Sequence, residues 1–132
     1  MDAPTPSSPR DQLAALRLPL LDLHKRLLDA ERRMYELAHG RVSAGELLNL
    51  ALQDPQFAWL HPISELIVRI DELIALDDLP DQQDVAFIAE RIRALLVPSA
   101  SGSAAEQRYD RAIQNDPAVL LAHRAVMQAL PR

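Results

Sequence analysis

Apolar residues recur at steps of three and four along most of the chain, which is the spacing of one face of an α-helix. The first such stripe is the longest and runs through Leu13, Leu16, Leu20, Leu23, Leu27, Ala30, Met34 and Leu37. Leu21, Leu28 and Tyr35 widen its flanks. The pattern predicts a helix of about 20 residues, roughly 30 Å long, from Pro19 to His39, which ends at Gly40.

Pro19 interrupts this stripe near its beginning. Because proline lacks a backbone N–H and its ring clashes with the preceding turn, two arrangements fit the pattern. Either a short turn ends near Arg17 and a new helix begins with Pro19 in its first turn, or one helix continues through Pro19 and is kinked there. Residues 1–10 are rich in proline and serine and lack an apolar stripe, so we expect a disordered lead-in.

Cap residues and prolines divide the middle of the chain into further helices. Ser43 and Glu46 have the spacing of a capping box and open a second helix. Its apolar stripe consists of Leu47, Leu48, Ala51 and Leu52. Asp54-Pro55 then begins a short segment, Gln56 to Leu60, at a new angle, and Pro62 begins the next helix one turn later.

The helix from Pro62 to Leu76 has the widest apolar arc, and we expect it to be the most buried segment. Its inner positions are Ile63, Leu66, Ile67, Ile70, Leu73 and Ile74, with Val68 at the edge. Residues 77–81 predict a turn, after which Asp81 or Asp84 caps another helix. The inner face of that helix consists of Val85, Ile88, Ala89, Ile92, Leu95 and Leu96, with Phe87 on its flank.

The C-terminal part follows residues 98–103, which are small and polar and predict a linker. Ser103 and Glu106 repeat the capping-box spacing and open a helix to about Gln114. Asp116-Pro117 then caps a last helix that ends near Leu130.

These elements predict an all-α fold, an antiparallel bundle of about four to six helices. Residues 11–97 form its core, and residues 104–132 form a C-terminal helical hairpin that packs on the core. Composition supports the same fold. Of the 132 residues, 48% are hydrophobic, mostly leucine and alanine, which favour helices. The chain has only 3 glycines, which leaves few residues suited to the tight turns of β-hairpins.

Charge and residue types exclude several classes of function. The net charge is −5, and the basic residues Lys25, Arg26, Arg32 and Arg33 alternate with acidic ones at helical spacing. This pattern is typical of a solvated face, with an anion site as the alternative, and we expect no nucleic-acid partner. Without cysteine, disulfides and thiol chemistry are excluded. The start has no leader pattern and no apolar run approaches a membrane span, so we expect a cytoplasmic protein without a membrane partner.

Glu36 and His39 have the Glu-x-x-His spacing of metal sites in helical bundles. A dinuclear centre needs a second such pair, and the nearest substitute is His61 with Glu65. We expect no cofactor. The alternative is a single divalent metal held by Glu36, His39, His61 and Glu65, or by another histidine with a carboxylate. On the simpler interpretation Glu36 lies on the polar face. His39 then lies in the last turn, where a positively charged imidazole interacts favourably with the helix dipole.

The segment around Pro62 is the most unusual in chemistry. Because Pro62 cannot donate a backbone hydrogen bond, a helical path leaves a carbonyl near Ala58 without a partner. We name Trp59, His61, Ser64 and Glu65 as candidate ligand-binding residues. In the structural alternative, Trp59 and Phe57 anchor the core and Ser64 satisfies the local backbone. Ser64 and His61 lack the orienting acid and oxyanion loop of a catalytic triad, and we name no catalytic residue.

Two segments resemble known families. The stretch FAWLHPISELIVRIDEL, residues 57–73, resembles small bacterial all-helical proteins over roughly the first hundred residues, and this resemblance implies no activity. Ala105, Tyr109, Ala112 and Pro117 resemble the second helix of a tetratricopeptide repeat, with residues 118–123 similar to the start of a next repeat. Only half a repeat is present, and an ordinary helical hairpin explains the same residues.

Two functions fit these observations. The first is a non-enzymatic helical protein that acts by protein–protein association, including as a homodimer, because the first stripe exceeds what one thin bundle covers. The second is a bundle that binds a metal or small ligand near Trp59 to Glu65, with hydrolytic or redox activity. A stoichiometric metal in the purified protein favours the second function, and a metal-free dimer favours the first.

Overall fold

The computed structural model describes residues 8–75 and 79–131, and this part of the chain contains six α-helices and no strand. The helices are α1 (Pro9–His39), α2 (Ala44–Gln53), α3 (His61–Ala75), α4 (Gln82–Leu95), α5 (Ala104–Asn115) and α6 (Pro117–Ala129). A 3₁₀ segment, Pro55–Leu60, connects α2 to α3. The expected all-α bundle is confirmed.

Helix α1 is a single helix of 31 residues that continues through Pro19, so the arrangement with two separate helices is wrong. Ser8 caps its first turn by accepting from the Asp11 backbone N–H at 3.1 Å. The helix therefore includes Pro9 and Arg10, which the sequence had placed in the lead-in, while residues 1–7 lie outside the described residues. It ends as expected at Gly40, whose φ of 86° is the left-handed conformation that glycine adopts without strain.

The core lies around α1, which packs mainly on α6 and α3 and also contacts α4 and the 3₁₀ segment. Arg17 of α1 donates to Asp71 of α3 at one edge of this packing. Helix α5 packs on α6 rather than directly along α1. The largest fully buried side chains are those of Leu13, Leu16, Leu20, Leu23, Leu27, Phe57, Ile70, Ile88, Ile92 and Tyr109.

The helix caps resolve the alternatives that the sequence left open. Asp81, not Asp84, is the cap of α4, and the Asp84 carboxylate accepts from the Asp81 N–H in a complete capping box. Ser103 and Glu106 form a second complete box at α5. At α2 the Ser43 hydroxyl accepts from the Glu46 N–H, but the Glu46 carboxylate binds that hydroxyl at 3.2 Å rather than the Ser43 N–H.

The apolar stripe of α1 is buried only along its first part. Its side chains are buried through Leu27, whereas Met34 is 62% exposed and Leu37 is 84% exposed. In the same way Leu48 and Leu52, on the apolar stripe of α2, are exposed, and α2 has no fully buried residue. The expected core helix α3 does bury its inner face at Ile63, Leu66, Ile67, Ile70 and Leu73.

Helix lengths explain where the stripe is uncovered. At 1.5 Å per residue α1 is about 46 Å long, whereas α3 and α6 are about 22 and 20 Å long. Neither α3 nor α6 is half as long as α1. The carboxyl-terminal part of α1 therefore extends beyond these two helices. None of the described helices has the length and apolar character needed to cross a membrane.

Candidate functional site

A groove with a volume of about 730 Å³ lies between the second half of α1, the start of the 3₁₀ segment and the second half of α5. Its apolar lining consists of Ala30, Met34, Leu37, Pro55 and Ala112. Its charged lining consists of Glu31, Arg33, Arg108, Arg111 and Asp116. The groove therefore combines an apolar surface, which the chain itself leaves open to solvent, with several charged side chains.

Two polar contacts hold the sides of the groove together. Arg33 of α1 donates to the carboxylate of Asp116 at 2.5 Å, and Asp116 also caps α6 by accepting from the Ala118 N–H at 3.0 Å. Arg108 of α5 donates to the carbonyl oxygen of Gln56 at 2.9 Å. These contacts join α1 to the α5–α6 turn and α5 to the 3₁₀ segment, so the groove is built from three elements fixed to one another.

Glu31 connects the groove to the tryptophan. One of its carboxylate oxygens accepts from the Trp59 indole N–H at 2.9 Å, and the other accepts from the Gln56 side-chain amide at 3.1 Å. The half-buried Trp59 ring therefore lies directly behind a groove-lining carboxylate. Of the predicted ligand residues, Trp59 alone contacts the groove lining in this way.

The remaining predicted ligand residues lie elsewhere. The His61 Nε2–H donates to the Ala51 carbonyl at 2.6 Å and so fixes the end of α2 to the start of α3. The Ala58 carbonyl, expected to be free, accepts the backbone N–H of His61, so that expectation is wrong. Ser64 is half-buried and Glu65 is exposed, and neither lines the groove.

The predicted metal ligands do not form a common site in the structure. Glu36 accepts from the Val42 N–H at 2.9 Å and lies 3.6 Å from the Arg32 guanidinium. His39 stacks against Tyr35, with 4.3 Å between ring centroids. Within residues 8–75 and 79–131, no group of three or more histidine and carboxylate side chains is arranged to hold a metal ion, and His61 and Glu65 complete no such group with Glu36 and His39.

A hydrogen bond between a tyrosine and a histidine joins α5 to α6. The Tyr109 hydroxyl of α5 and His123 Nδ1 of α6 are hydrogen-bonded at 2.5 Å. Burial raises the pKa of the Tyr109 phenol and lowers the pKa of the His123 imidazole, so the neutral forms that make this bond are favoured. The pair fixes α5, and with it Arg108 and Arg111, against the rest of the molecule.

Several functional candidates were missed by reasoning from the sequence. Arg108 and Arg111 lie three residues apart on one face of α5, and Ala112 lies beside them, a pattern that was available in the sequence. Met34 and Leu37 continue the spacing of the buried residues that precede them on α1. Periodicity identifies a helix face, but it does not show which part of that face a neighbour covers.

Comparisons of the chain with family models, with curated proteins and with solved structures find no match. The two resemblances noted in the sequence therefore gain no support beyond the residues that carry them. Function is inferred below from the groove and from the contacts that build it.

Proposed function

We propose that the protein is a non-enzymatic helical module that acts by associating with another protein chain, and that the groove is its binding surface. The observation that carries this proposal is the exposure of Met34 and Leu37, 62% and 84%, at positions where the buried stripe of α1 continues. Contiguous exposed apolar surface with polar residues around it is typical of a protein-binding site.

The dimensions of the groove suit a helical segment of the partner. Its lining runs from Ala30 to Leu37 on α1 and from Arg108 to Asn115 on α5, which is about 10 Å along each helix. An amphipathic helix presents anchors at positions i, i+3 or i+4 and i+7 over the same distance. The groove therefore fits about two turns of a bound helix.

We favour this function over a metal- or small-ligand-binding bundle because two of the candidate ligand side chains already make hydrogen bonds within the chain. The His61 and Glu36 side chains already bind backbone groups of this chain. The groove, by contrast, offers apolar surface that no part of residues 8–75 and 79–131 covers. We place the association in the cytoplasm. A homodimer is the alternative to a different partner protein.

The proposal is tested by a photo-crosslinking amino acid placed at Leu37, in cells that naturally produce the protein. We expect a discrete crosslinked product, whose mass distinguishes a second copy from a different protein. The matched control carries the same amino acid at Val68 of α3, which is 53% exposed and lies outside the groove. No product from position 37, or the same product from both positions, would contradict the proposal.

A further inference from the structure

The lining of the groove is positively charged in a protein that is acidic as a whole. It contains Arg33, Arg108 and Arg111 and the two carboxylates of Glu31 and Asp116, so its formal charge is +1. The net charge of the chain is −5. The net charge of the chain would favour a basic partner, whereas the charge of the groove lining favours an acidic one.

The positive charge is concentrated on the α5 side. Arg33 is paired with Asp116 across the groove, whereas Arg108 contacts a neutral carbonyl of Gln56. Arg111 is exposed and makes no ion pair or hydrogen bond with any described residue. Arg108 and Arg111 thus present two guanidinium groups that make no ion pair with a described residue, on one helix face directly beside the apolar lining.

We propose that the occupant of the groove is an amphipathic helix of another protein, with carboxylates along the edge that faces α5. This inference rests on the proposed function and names the chemistry of its partner. The apolar face of the bound helix covers Met34, Leu37 and Ala112, while its aspartates or glutamates pair with Arg108 and Arg111. Guanidinium groups recognise carboxylates through planar, paired hydrogen bonds, which also fixes the orientation of the bound helix.

Two synthetic peptides test the proposal with the full chain. Both are helix-forming and carry leucine at positions i, i+4 and i+7, and their remaining positions are mainly glutamate in one peptide and lysine in the other. Affinity is measured by calorimetry, with Trp59 emission as a second signal because its indole binds the groove-lining Glu31. We expect the glutamate peptide to bind about tenfold more tightly or better, and this ratio to fall as salt is added.

Variants separate the charge from the apolar contact. Arg111→Ala is expected to weaken the glutamate peptide about 2–5-fold, as for an exposed ion pair. Arg91→Ala, which removes an exposed arginine of α4, is the matched control and is expected to leave affinity unchanged. The double variant Met34→Ser/Leu37→Ser is expected to lose both peptides while its circular dichroism spectrum stays that of the wild type.

Several outcomes would overturn the proposal. These are a lysine peptide that binds as tightly as the glutamate peptide, no binding of the glutamate peptide, and unchanged binding to the Met34→Ser/Leu37→Ser variant. So would anionic phosphatidylglycerol vesicles that bind when the glutamate peptide does not, or a dimer seen by light scattering that this peptide fails to dissociate. A crosslink at Leu37 together with any of these results would retain the proposed association and reject the acidic helix.

Discussion

At the scale of single residues, the core positions that periodicity identified on α3 are buried. Ile70 is fully buried and Ile67 nearly so, whereas Val68, one residue from Ile67 on the same helix, is 53% exposed. The two isoleucines therefore contribute to the folded state through apolar surface removed from water and through close packing.

Replacing either isoleucine by alanine is expected to reduce the free energy of unfolding by about 2–5 kcal/mol, because each change leaves a cavity in the core. Urea denaturation followed by circular dichroism measures this loss. Val68→Ala is the matched control and is expected to change stability by less than about 0.5 kcal/mol. Equal, small effects at all three positions would show that this face of α3 is not core.

Histidines give the second residue-scale prediction, which concerns pH. Burial lowers the pKa of both His123 and His24 below 6.5 in the folded protein. The unfolded chain therefore binds more protons than the folded protein between the folded and unfolded pKa values, and stability falls as pH falls. This contribution is fully present above about pH 6.5 and is lost as the pH drops through the folded pKa values.

Unfolding free energies measured in steps from about pH 7.5 to pH 5 check this sign, since most carboxylates titrate below that range. His123→Gln, which cannot become charged, is expected to show a smaller decrease than the wild type. Tyr109→Phe provides a comparison, because it removes the hydroxyl that is hydrogen-bonded to His123 but keeps the titrating histidine. A stability that rises on acidification over this range would contradict the assignment.

Some residue contacts could be predicted from the sequence and others could not. The caps at Ser103 and Asp116 depend on neighbours within three residues, so local sequence specifies them. The bonds of His61 to Ala51 and of Tyr109 to His123 join different helices. Such contacts depend on how the helices pack, which the order of residues along one helix does not determine.

At the scale of elements, α1 is notable because a proline lies within its continuous helix. Pro19 has no N–H to donate to the carbonyl one turn earlier, and its ring crowds that carbonyl. The helix continues because the buried leucines on either side, Leu16 and Leu20 among them, are held by α1's neighbours. Tertiary packing therefore outweighs the local preference that favoured a break.

Pro19→Ala is expected to stabilise the protein by about 1–3 kcal/mol, because it restores the missing hydrogen bond and removes the clash. Thermal and urea unfolding measure the change. Pro9→Ala is the matched control, since Pro9 lies in the first turn of α1, where proline is favourable, and no gain is expected there. A Pro19→Ala variant that is less stable than the wild type would show that the ring is needed for packing.

Element boundaries were predictable wherever a cap or a stop is local. The end of α1 at Gly40, the short segment after Asp54 and the start of α6 after Asp116 all follow such signals. The lead-in was expected to extend through Arg10 because residues 1–10 are rich in proline and serine. Ser8 and Pro9 instead give a valid cap and first turn for α1.

At the scale of the whole molecule, the groove results from unequal helix lengths. Helix α1 extends past α3 and α6, and α5 is attached through α6, so a space remains beside Ala30 to Leu37. Sequence periodicity identifies the apolar face of α1, but it does not show which part of that face other helices bury. The groove therefore became visible only once the helices were placed together.

We propose that Met34 and Leu37 form a binding surface rather than core, and the stability of the Met34→Ser/Leu37→Ser variant tests this most directly. Because both side chains are largely exposed, its free energy of unfolding in urea should lie within about 0.5 kcal/mol of the wild type. Leu23→Ala, on the buried part of the same stripe, should lose about 2–5 kcal/mol. A comparable loss in the serine variant would mean that the stripe is core throughout and would contradict the groove.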